Sequence, residues 1–369
     1  MAVNIPEVKQ KRIVIVGAGF AGLKFAQTIK KSEYQIVLID KNNYHQFQPL
    51  YYQVATAGLE PSSISFPLRK VFQGYKNVHI RMAELLRVEP ENKRIVTDLG
   101  IVNYDYLVLA LGTYTNYFGM QNLLEKSWPM KSVAEALALR NQMLKNFEEA
   151  VLSRDEDHLQ GLLNIVIVGG GPTGVEVAGA ITEMRDKILP KDYPELDFKR
   201  MNIFLVEASP RTLNVMADVS ARKSQQYLEE MGVIVKTSTQ VKDYDGKLVY
   251  LGDGSTIRAN TLIWAAGVVG PKIEGINPEI YVRGNRIKVD QFNKAEGYED
   301  IFVIGDIAMM VEAQYDKGHP QLAQPAMQQG KNLAQNFMRA LKGKEWKPFH
   351  YKDLGSMATV GRNLAVVEL

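Results

Sequence analysis

Three glycines, Gly17, Gly19 and Gly22 of the segment GAGFAG, have the spacing with the clearest chemical meaning in this chain. Glycine at these positions permits a tight turn, the approach of a pyrophosphate to the backbone, and close contact between a helix and a strand. Asp40 ends the next apolar run, where a carboxylate can accept hydrogen bonds from ribose hydroxyls. The pattern predicts a dinucleotide-binding loop; the alternative is a glycine-rich turn without a ligand.

The same pattern returns in the middle of the chain as Gly169, Gly171 and Gly174 of GGGPTG, with Glu207 as its acid. Glu207 lies farther from its loop than the usual spacing of about 20 residues. We interpret the excess, residues 186–200, as a helix end followed by a loop that prolines interrupt. Acids at both sites disfavour a 2′-phosphate and favour NAD(H) over NADP(H) as the second ligand. Arg211 weakens this argument, although it could instead pair with Glu207.

The elements that must position these residues form two copies of one α/β pattern. An apolar strand precedes each glycine loop, a helix follows it, and a second apolar strand carries the acid. Further buried strands end in small residues, which is where an open α/β sheet meets its ligand. The predicted strands are 13–16, 36–39, 106–110, 164–168, 202–206, 261–265 and 301–304. The small residues after them include Gly112 and Gly267, and an acid, Asp306, follows Gly305.

Other segments have simpler patterns. Helices are predicted over 66–72, over 132–153 with Ser132 as a cap, and over 322–341, where Gln324 and Gln328 share one face. Short strands are predicted over 78–80, 84–89, 233–236 and 247–250, and a hairpin over 93–102. The aromatic and amide residues of 41–55 suit a loop that lines a cofactor pocket. Packing of Phe47, Tyr51 and Tyr52 beneath a loop is an equal alternative.

Composition limits the functional classes. A chain of 369 residues is long enough for two domains. A net charge of +3 is too small to indicate nucleic acid as a partner. The absence of cysteine excludes disulfides, thiolate metal sites and redox-active cysteine pairs, and the five histidines show no metal-ligand spacing. The chain opens without a signal-peptide pattern and has no apolar run of about 20 residues, so we expect it to face the cytosol.

Taken together, these motifs resemble the two-dinucleotide-binding flavoprotein superfamily, and within it the type II NADH:quinone oxidoreductases, which do not pump protons. The superfamily motifs are GAGFAG at 17–22, GGGPTGVE at 169–176 and IFVIGD at 301–306. The narrower resemblance lies in KNNYHQFQPLYYQVATAGLEP at 41–61 and AQPAMQQG at 323–330. It implies an α/β fold with two Rossmann-like domains, the second inserted in the first. FAD would bind the domain of residues 1–119 and 297–369, and NADH the domain of residues 120–296.

The resemblance also implies roles for individual residues. The residues expected to bind FAD are Gly17, Ala18, Gly19, Phe20, Ala21, Gly22, Asp40, Lys41, Leu85, Gly112, Asp306, Ala323 and Gln324. Those expected to bind NADH are Gly169, Gly171, Gly174 and Glu207. Glu176 matches the carboxylate near the nicotinamide and quinone, and Gln324 and Gln328 match the amides of the quinone site. An acid such as Glu176 at a helix start is also favoured by the helix dipole alone.

The implied activity is electron transfer from NADH through FAD to a membrane quinone in a respiratory chain. The implied location is the cytoplasmic side of the inner membrane, as a peripheral protein, with a homodimer as one possible assembly. Family members continue beyond a segment like 351–369 into amphipathic C-terminal helices that contact the membrane surface. This chain stops within an expected strand at 365–369, so we expect that membrane-anchoring part to be absent.

Two other functions suit these motifs. One is a soluble NADH-dependent reductase of a small redox protein, like ferredoxin or rubredoxin reductases. The other is a nucleotide-bound sensor or scaffold without enzymatic activity. Disulfide reductases, cysteine-dependent peroxide reductases and sulfide:quinone reductases are excluded because the chain has no cysteine.

Overall fold

The computed structural model describes residues 2–369. The chain divides into two compact units, each built from three separate stretches. The first comprises Met1–Gln46, Ser65–Tyr114 and Val268–Asp353, and the second comprises Phe47–Ile64, Thr115–Gly267 and Leu354–Leu369. Among residues 2–369, none of the helices has both the length and the apolar character that crossing a bilayer requires.

A five-stranded parallel sheet forms the centre of the first unit. Its strands lie in the order Ile301–Val303, Tyr106–Leu109, Arg12–Val16, Gln35–Asp40 and Val78–Met82. The strand Arg12–Val16 is buried throughout, as its unbroken aliphatic sequence predicts. The helices Phe20–Ile29 and Ala323–Ala340 pack together on one face, where Phe25 and Phe337 meet edge to face with ring centroids 5.8 Å apart.

Smaller elements complete the first unit. Leu85–Glu89, Arg94–Thr97 and Gly100–Asn103 form an antiparallel sheet, which confirms the predicted hairpin. Tyr281–Val282, Arg286–Lys288 and Ala308–Met309 form another sheet. The helix predicted over 66–72 is wrong in its first part. Ser65–Pro67 is a strand paired with Tyr44–Gln46, and the helix is only Leu68–Val71, because a proline disfavours helical backbone in the residue before it.

The second unit repeats the central architecture. Its parallel sheet has the order Trp128–Pro129, Thr261–Trp264, Ile165–Val168, Ile203–Val206 and Val233–Lys236. The helix Pro172–Lys187 follows the second glycine loop, and Val133–Leu152 confirms the predicted long helix, with the Ser132 hydroxyl accepting the Glu135 N–H at 3.1 Å. The other helices are Tyr51–Ala55, Gln121–Lys126, Glu156–Leu163, Leu189–Asp192 and Asp218–Glu230.

Two antiparallel elements complete the second unit. Val241–Tyr244, Leu248–Leu251 and Thr256–Arg258 form a three-stranded sheet. Ser356–Val360 pairs with Leu364–Glu368 to form what we name the C-terminal hairpin. Val360 and Val366 of this hairpin are buried in the same apolar core as Tyr51 and Val54. Segments more than 300 residues apart therefore share one core.

Candidate functional site

The first glycine loop lies between the strand Arg12–Val16 and the helix Phe20–Ile29. Gly17 has φ +103°, and a Cβ there would overlap the backbone of Ala110, so only glycine fits this turn. A Cβ at Gly19 would meet no atom within 4 Å, so the loop backbone faces open space there. The helix starts without a side-chain cap at Gly19, a geometry that suits an anionic ligand.

Asp40 is held by the backbone of this loop. Its Oδ2 accepts the N–H of Ala18 at 2.7 Å, and its Oδ1 accepts the N–H of Asn42 at 2.7 Å. Burial raises the pKa of the Asp40 carboxyl, and these two hydrogen bonds act in the opposite direction. The carboxylate is therefore fixed beside the loop, and each oxygen has a further lone pair for a ligand hydroxyl.

The second glycine loop has the same construction. Gly169 has φ +109°, Gly171 faces open space, and the helix Pro172–Lys187 starts without a side-chain cap at Gly171. Glu207 Oε2 accepts the N–H of Gly170 at 2.6 Å, and Oε1 accepts the N–H of Ser209 at 2.6 Å. Each unit thus contains a glycine turn, an uncapped helix start and a backbone-held carboxylate, and both sets fit the pyrophosphate and ribose of a dinucleotide.

Arg211 does not pair with Glu207. Its Nη1 forms an ion pair with Asp218 Oδ1 at 2.9 Å, and its Nη2 donates to the carbonyl oxygens of Asn214 and Met216, each at 3.4 Å. The guanidinium is thus engaged on its own loop. Arg211 therefore does not neutralise the Glu207 carboxylate, whose negative charge disfavours a 2′-phosphate.

A turn in the first unit places Asp306 after the strand Ile301–Val303. The N–H of Gly305 donates to Gln329 Oε1 at 2.7 Å, and Gln329 is 2% exposed. Thr113 Oγ1 donates to Asp306 Oδ2 at 3.3 Å, and Gly112 beside it has φ +65°. Gly112 and Asp306 therefore belong to one corner of the sheet, as their strand-end positions predict.

The helix Ala323–Ala340 carries the three other residues predicted in this unit, Ala323, Gln324 and Gln328. Ala323 and Gln324 are half-buried in its first turn. Gln328 binds the backbone of Lys352 with both ends of its amide: Nε2 donates to the carbonyl at 2.8 Å and Oε1 accepts the N–H at 3.0 Å. This clamp gives Gln328 a structural contact, and its role toward a quinone stays a prediction.

Glu176 lies in the first turns of the helix Pro172–Lys187 and is half-buried. Its Oε1 accepts the N–H of Thr359 at 3.5 Å, and the Thr359 side chain also hydrogen-bonds to the carboxyl. Burial raises the pKa of Glu176 to about 7, against the opposing effect of these bonds. A carboxyl of this kind exchanges a proton near neutral pH, as a general acid or base must.

The remaining predicted residues surround the first loop or lie farther from it. Phe20 packs edge to face against His45, with centroids 5.3 Å apart, and Ala21 is buried. Lys41 Nζ lies 5.1 Å from the centre of the Tyr114 ring. Leu85 is partly buried against the apolar core of the first unit.

The three aromatic side chains of the segment 41–55 for which simple packing was the alternative differ in burial. Tyr51 is 3% exposed and belongs to the apolar core of the second unit, which confirms simple packing for that side chain. Phe47 is 40% exposed. Tyr52 is half-buried and its hydroxyl lies 3.2 Å from Thr359 Oγ1.

Three supporting residues were not among the predicted site residues. His45 Nδ1 lies 3.0 Å from the Ala18 carbonyl oxygen and so supports the first loop, while Gln329 supports the Gly305 turn. Thr359 contacts Glu176 across 183 positions of sequence. Gln329 had a local signal, an amide in the helix that follows the Gly305–Asp306 strand. Thr359 had none, because its contact depends on how the C-terminal hairpin packs.

The two sheets and loops define a pyridine-nucleotide oxidoreductase, and comparison with known families agrees. The model of the pyridine nucleotide-disulphide oxidoreductase family matches residues 11–330. The chain lacks the cysteines to which that family name refers. More narrowly, it belongs to the type II NADH:quinone oxidoreductase family, as its curated relatives demonstrate.

One such relative is the type II NADH:quinone oxidoreductase Ndh of Mycobacterium tuberculosis, which is 33% identical over 98% of this chain and 80% of its own length. The type II NADH:quinone oxidoreductase of Staphylococcus aureus is 31% identical over 95% of this chain and 88% of its own length. The solved structure of NDH2 from Plasmodium falciparum in complex with NADH superimposes with a TM-score of 0.90. The superposition covers 98% of this chain and 90% of the NDH2 chain. The two sequences are 21% identical over it, so the likeness supports a shared fold.

Proposed function

We propose that this chain is a FAD-dependent enzyme that passes electrons from NADH to a membrane quinone without pumping protons. The observation that carries the proposal is the pair of dinucleotide loops, each with its own backbone-held carboxylate, in a member of the type II family. Two such loops suit two dinucleotides. We assign FAD to the unit that contains Gly17 and NADH to the unit that contains Gly169.

When bound, FAD supplies the redox chemistry, since it can take a hydride from NADH and pass two electrons to a quinone. The protein supplies binding and charge. Asp40, which the Ala18 N–H holds beside the loop, would accept from ribose hydroxyls of the first nucleotide, and the start of the helix Phe20–Ile29 would attract its pyrophosphate. The start of the helix Ala323–Ala340, with Ala323 and Gln324, would contribute a partial positive charge that stabilises an anionic reduced ligand.

Glu207 selects the second nucleotide. Its carboxylate lies beside the second loop and accepts hydrogen bonds from two backbone N–H groups. In that position it can also accept hydrogen bonds from both hydroxyls of an adenosine ribose. A 2′-phosphate at the same place would meet a negative charge, and Arg211 is engaged with Asp218 instead of being available to it. NADH is therefore the expected donor.

Glu176 is the proposed proton donor for the quinone. Reduction of a quinone to a quinol consumes two electrons and two protons. The two electrons and one of the protons originate in the hydride of NADH, and Glu176 would supply the other proton, because its raised pKa of about 7 keeps a substantial protonated fraction at neutral pH. Gln324 is the proposed hydrogen-bond partner of the quinone, with Gln328 as the second amide that the family resemblance implies.

The test follows the bound flavin directly. The purified protein is expected to be yellow, to bleach when NADH is added without air, and to regain colour when a water-soluble quinone follows. NADPH in place of NADH serves as the matched control and is expected to bleach the flavin far more slowly. A protein that takes up no FAD, or that stays oxidised with NADH, contradicts the proposal. Reoxidation by ferredoxin or rubredoxin in preference to quinone would identify the reductase alternative instead.

A membrane quinone is confined to the bilayer, so we place the enzyme as a peripheral protein on the cytoplasmic face of the inner membrane, with a homodimer as one possible assembly. Cosedimentation with lipid vesicles and the mass of the particle in solution test these two statements. A chain that stays in the supernatant contradicts the membrane location, and a monomeric mass excludes the dimer.

A further inference from the structure

The C-terminal hairpin runs along one face of the helix Pro172–Lys187. Glu176, Gly179 and Glu183 occupy successive turns of that face. Glu176 accepts the N–H of Thr359, and Glu183 Oε1 accepts the N–H of Arg362 at 2.9 Å. Between them, a Cβ at Gly179 would overlap the backbone N of Gly361, so the two backbones are in direct contact. The hairpin is thus held in register with the helix at three places.

At the first of these places, four side chains form a chain of hydrogen bonds. Gln53 Nε2 donates to the Tyr52 hydroxyl oxygen at 3.0 Å, and that hydroxyl lies 3.2 Å from Thr359 Oγ1. The Thr359 side chain hydrogen-bonds to the carboxyl of Glu176. The amide nitrogen of Gln53 can only donate, so the Tyr52 hydroxyl oxygen accepts that bond and its own O–H is left to donate. Every O–H is used if Tyr52 donates to the Thr359 hydroxyl oxygen and Thr359 donates to the Glu176 carboxylate. In this series of hydrogen bonds, the Glu176 carboxylate is therefore the final acceptor.

We propose that Thr359 is a positioning residue for Glu176, with Tyr52 orienting the Thr359 hydroxyl, so that the C-terminal hairpin is a working part of the quinone-reducing site. This inference rests on the proposed function, in which Glu176 gives a proton to the quinone. It adds that the carboxyl is held in one orientation by a strand from the far end of the chain.

The electrostatics of Glu176 agree with this geometry. Burial is the main influence on the pKa of Glu176, and the only influences against it are the two bonds from Thr359. Within the described residues no charged side chain contributes to that shift. Removing the Thr359 hydroxyl therefore removes one of the two bonds that lower the pKa of Glu176.

The experiment compares Thr359→Val, which keeps the shape and loses the hydroxyl, with Thr359→Ser, which keeps the hydroxyl. We expect Thr359→Val to lower kcat for quinone reduction about tenfold, while flavin reduction by NADH changes less than about twofold. Thr359→Ser is expected to restore most of the rate. Thr256→Val, the same change at an exposed strand position of the second unit, is the matched control and is expected to behave as wild type.

A second readout does not depend on turnover. The C=O stretching band of protonated Glu176, identified as the infrared band that Glu176→Gln lacks, is expected to shift to higher frequency in Thr359→Val and to return in Thr359→Ser, because a lost hydrogen bond strengthens the C=O bond. Tyr52→Phe, which leaves Thr359 in place, is expected to give a smaller effect in the same direction on both readouts. It replaces Thr359→Val if that variant does not fold.

The outcomes separate the two proposals. An unshifted band together with a wild-type quinone rate in Thr359→Val overturns the inference, as does equal slowing of both half-reactions. A wild-type protein that cannot reduce quinone at all refutes the proposed function. The shift of the Glu176 band then still reports whether Thr359 holds the carboxyl.

Discussion

Glu207 accepts the backbone N–H of Gly170 at 2.6 Å, and this contact fixes the acid of the second dinucleotide loop. The first loop has its equivalent, from Ala18 to Asp40 at 2.7 Å. In each case the other carboxylate oxygen accepts the N–H two residues farther along the chain. Each acid is therefore held by backbone at both oxygens before any nucleotide arrives, which reduces the ordering that binding requires.

Glu207→Gln is expected to relax the preference for NADH over NADPH. The substitution keeps the length of the side chain and removes the charge that a 2′-phosphate would meet. Removing one like-charge contact of about 1.4 kcal/mol corresponds to a rise of about tenfold in the NADPH-to-NADH ratio of kcat/KM. Steady-state kinetics with NADH and with NADPH measure this ratio. An unchanged ratio would mean that Glu207 does not face the 2′ position.

Glu176→Gln is expected to stabilise the protein increasingly as pH rises. The pKa of Glu176 is raised from 4.5 to about 7, so between these values the native state holds a proton that the unfolded state has lost. Wild-type stability therefore falls as pH increases through this window, and the loss is complete above about pH 7. Glutamine avoids this loss, which reaches at most about 3 kcal/mol for a shift of this size.

Thermal unfolding of the holoenzyme at about pH 5.5 and about pH 8 measures the difference. Glu183→Gln is the control for removing one charge from the same helix face, since the Glu183 carboxylate is partnered by the Arg362 N–H and by Lys187 Nζ. A gain for Glu176→Gln that is equal at both pH values would contradict the raised pKa.

Gln324→Leu and Gln328→Leu form a matched pair, one turn apart on the helix Ala323–Ala340. We expect Gln324→Leu to slow quinone reduction about tenfold more than flavin reduction, as the loss of one hydrogen bond to the oxidant predicts. We expect Gln328→Leu chiefly to destabilise the protein, by about 1–2 kcal/mol, because both ends of its amide bind Lys352.

Stopped-flow traces of the two half-reactions and urea unfolding measure both effects. Equal slowing of the two half-reactions in Gln324→Leu would remove it from the quinone site. A selective loss of quinone reduction in Gln328→Leu, at unchanged stability, would restore Gln328 to that site.

Gly179→Ala is expected to destabilise the protein although alanine is the better helix former. Helix propensity alone would favour alanine by about 1 kcal/mol. The added Cβ would overlap the backbone of Gly361, and displacing the hairpin costs about 1–3 kcal/mol, as overpacking does elsewhere. Gly252→Ala is the control, since its Cβ would make an ordinary contact of 3.4 Å with the Gln240 carbonyl oxygen. An increase in the unfolding midpoint of Gly179→Ala would contradict the close contact.

The local sequence pattern was sufficient to predict those elements of the fold that depend on residues close together in sequence. The aliphatic run before Gly17, the capping serine before the helix Val133–Leu152 and the acid that ends Gln35–Asp40 each depend on neighbours in sequence. The prediction over 66–72 was wrong because Pro67 turned its first residues into a strand. The contact of Thr359 with Glu176 could not be predicted, because it follows from how a late hairpin packs on an earlier helix.

The separation of core residues along the chain has a consequence for biosynthesis. Tyr51 cannot share a core with Val366, nor can Phe25 meet Phe337, until more than 300 further residues have been synthesised. Both nucleotide-binding loops are translated long before the residues that finish their surroundings. The nascent chain must therefore keep the apolar surface of these cores uncovered while those residues are made, which makes assistance by chaperones more valuable to it than to a protein whose domains are contiguous.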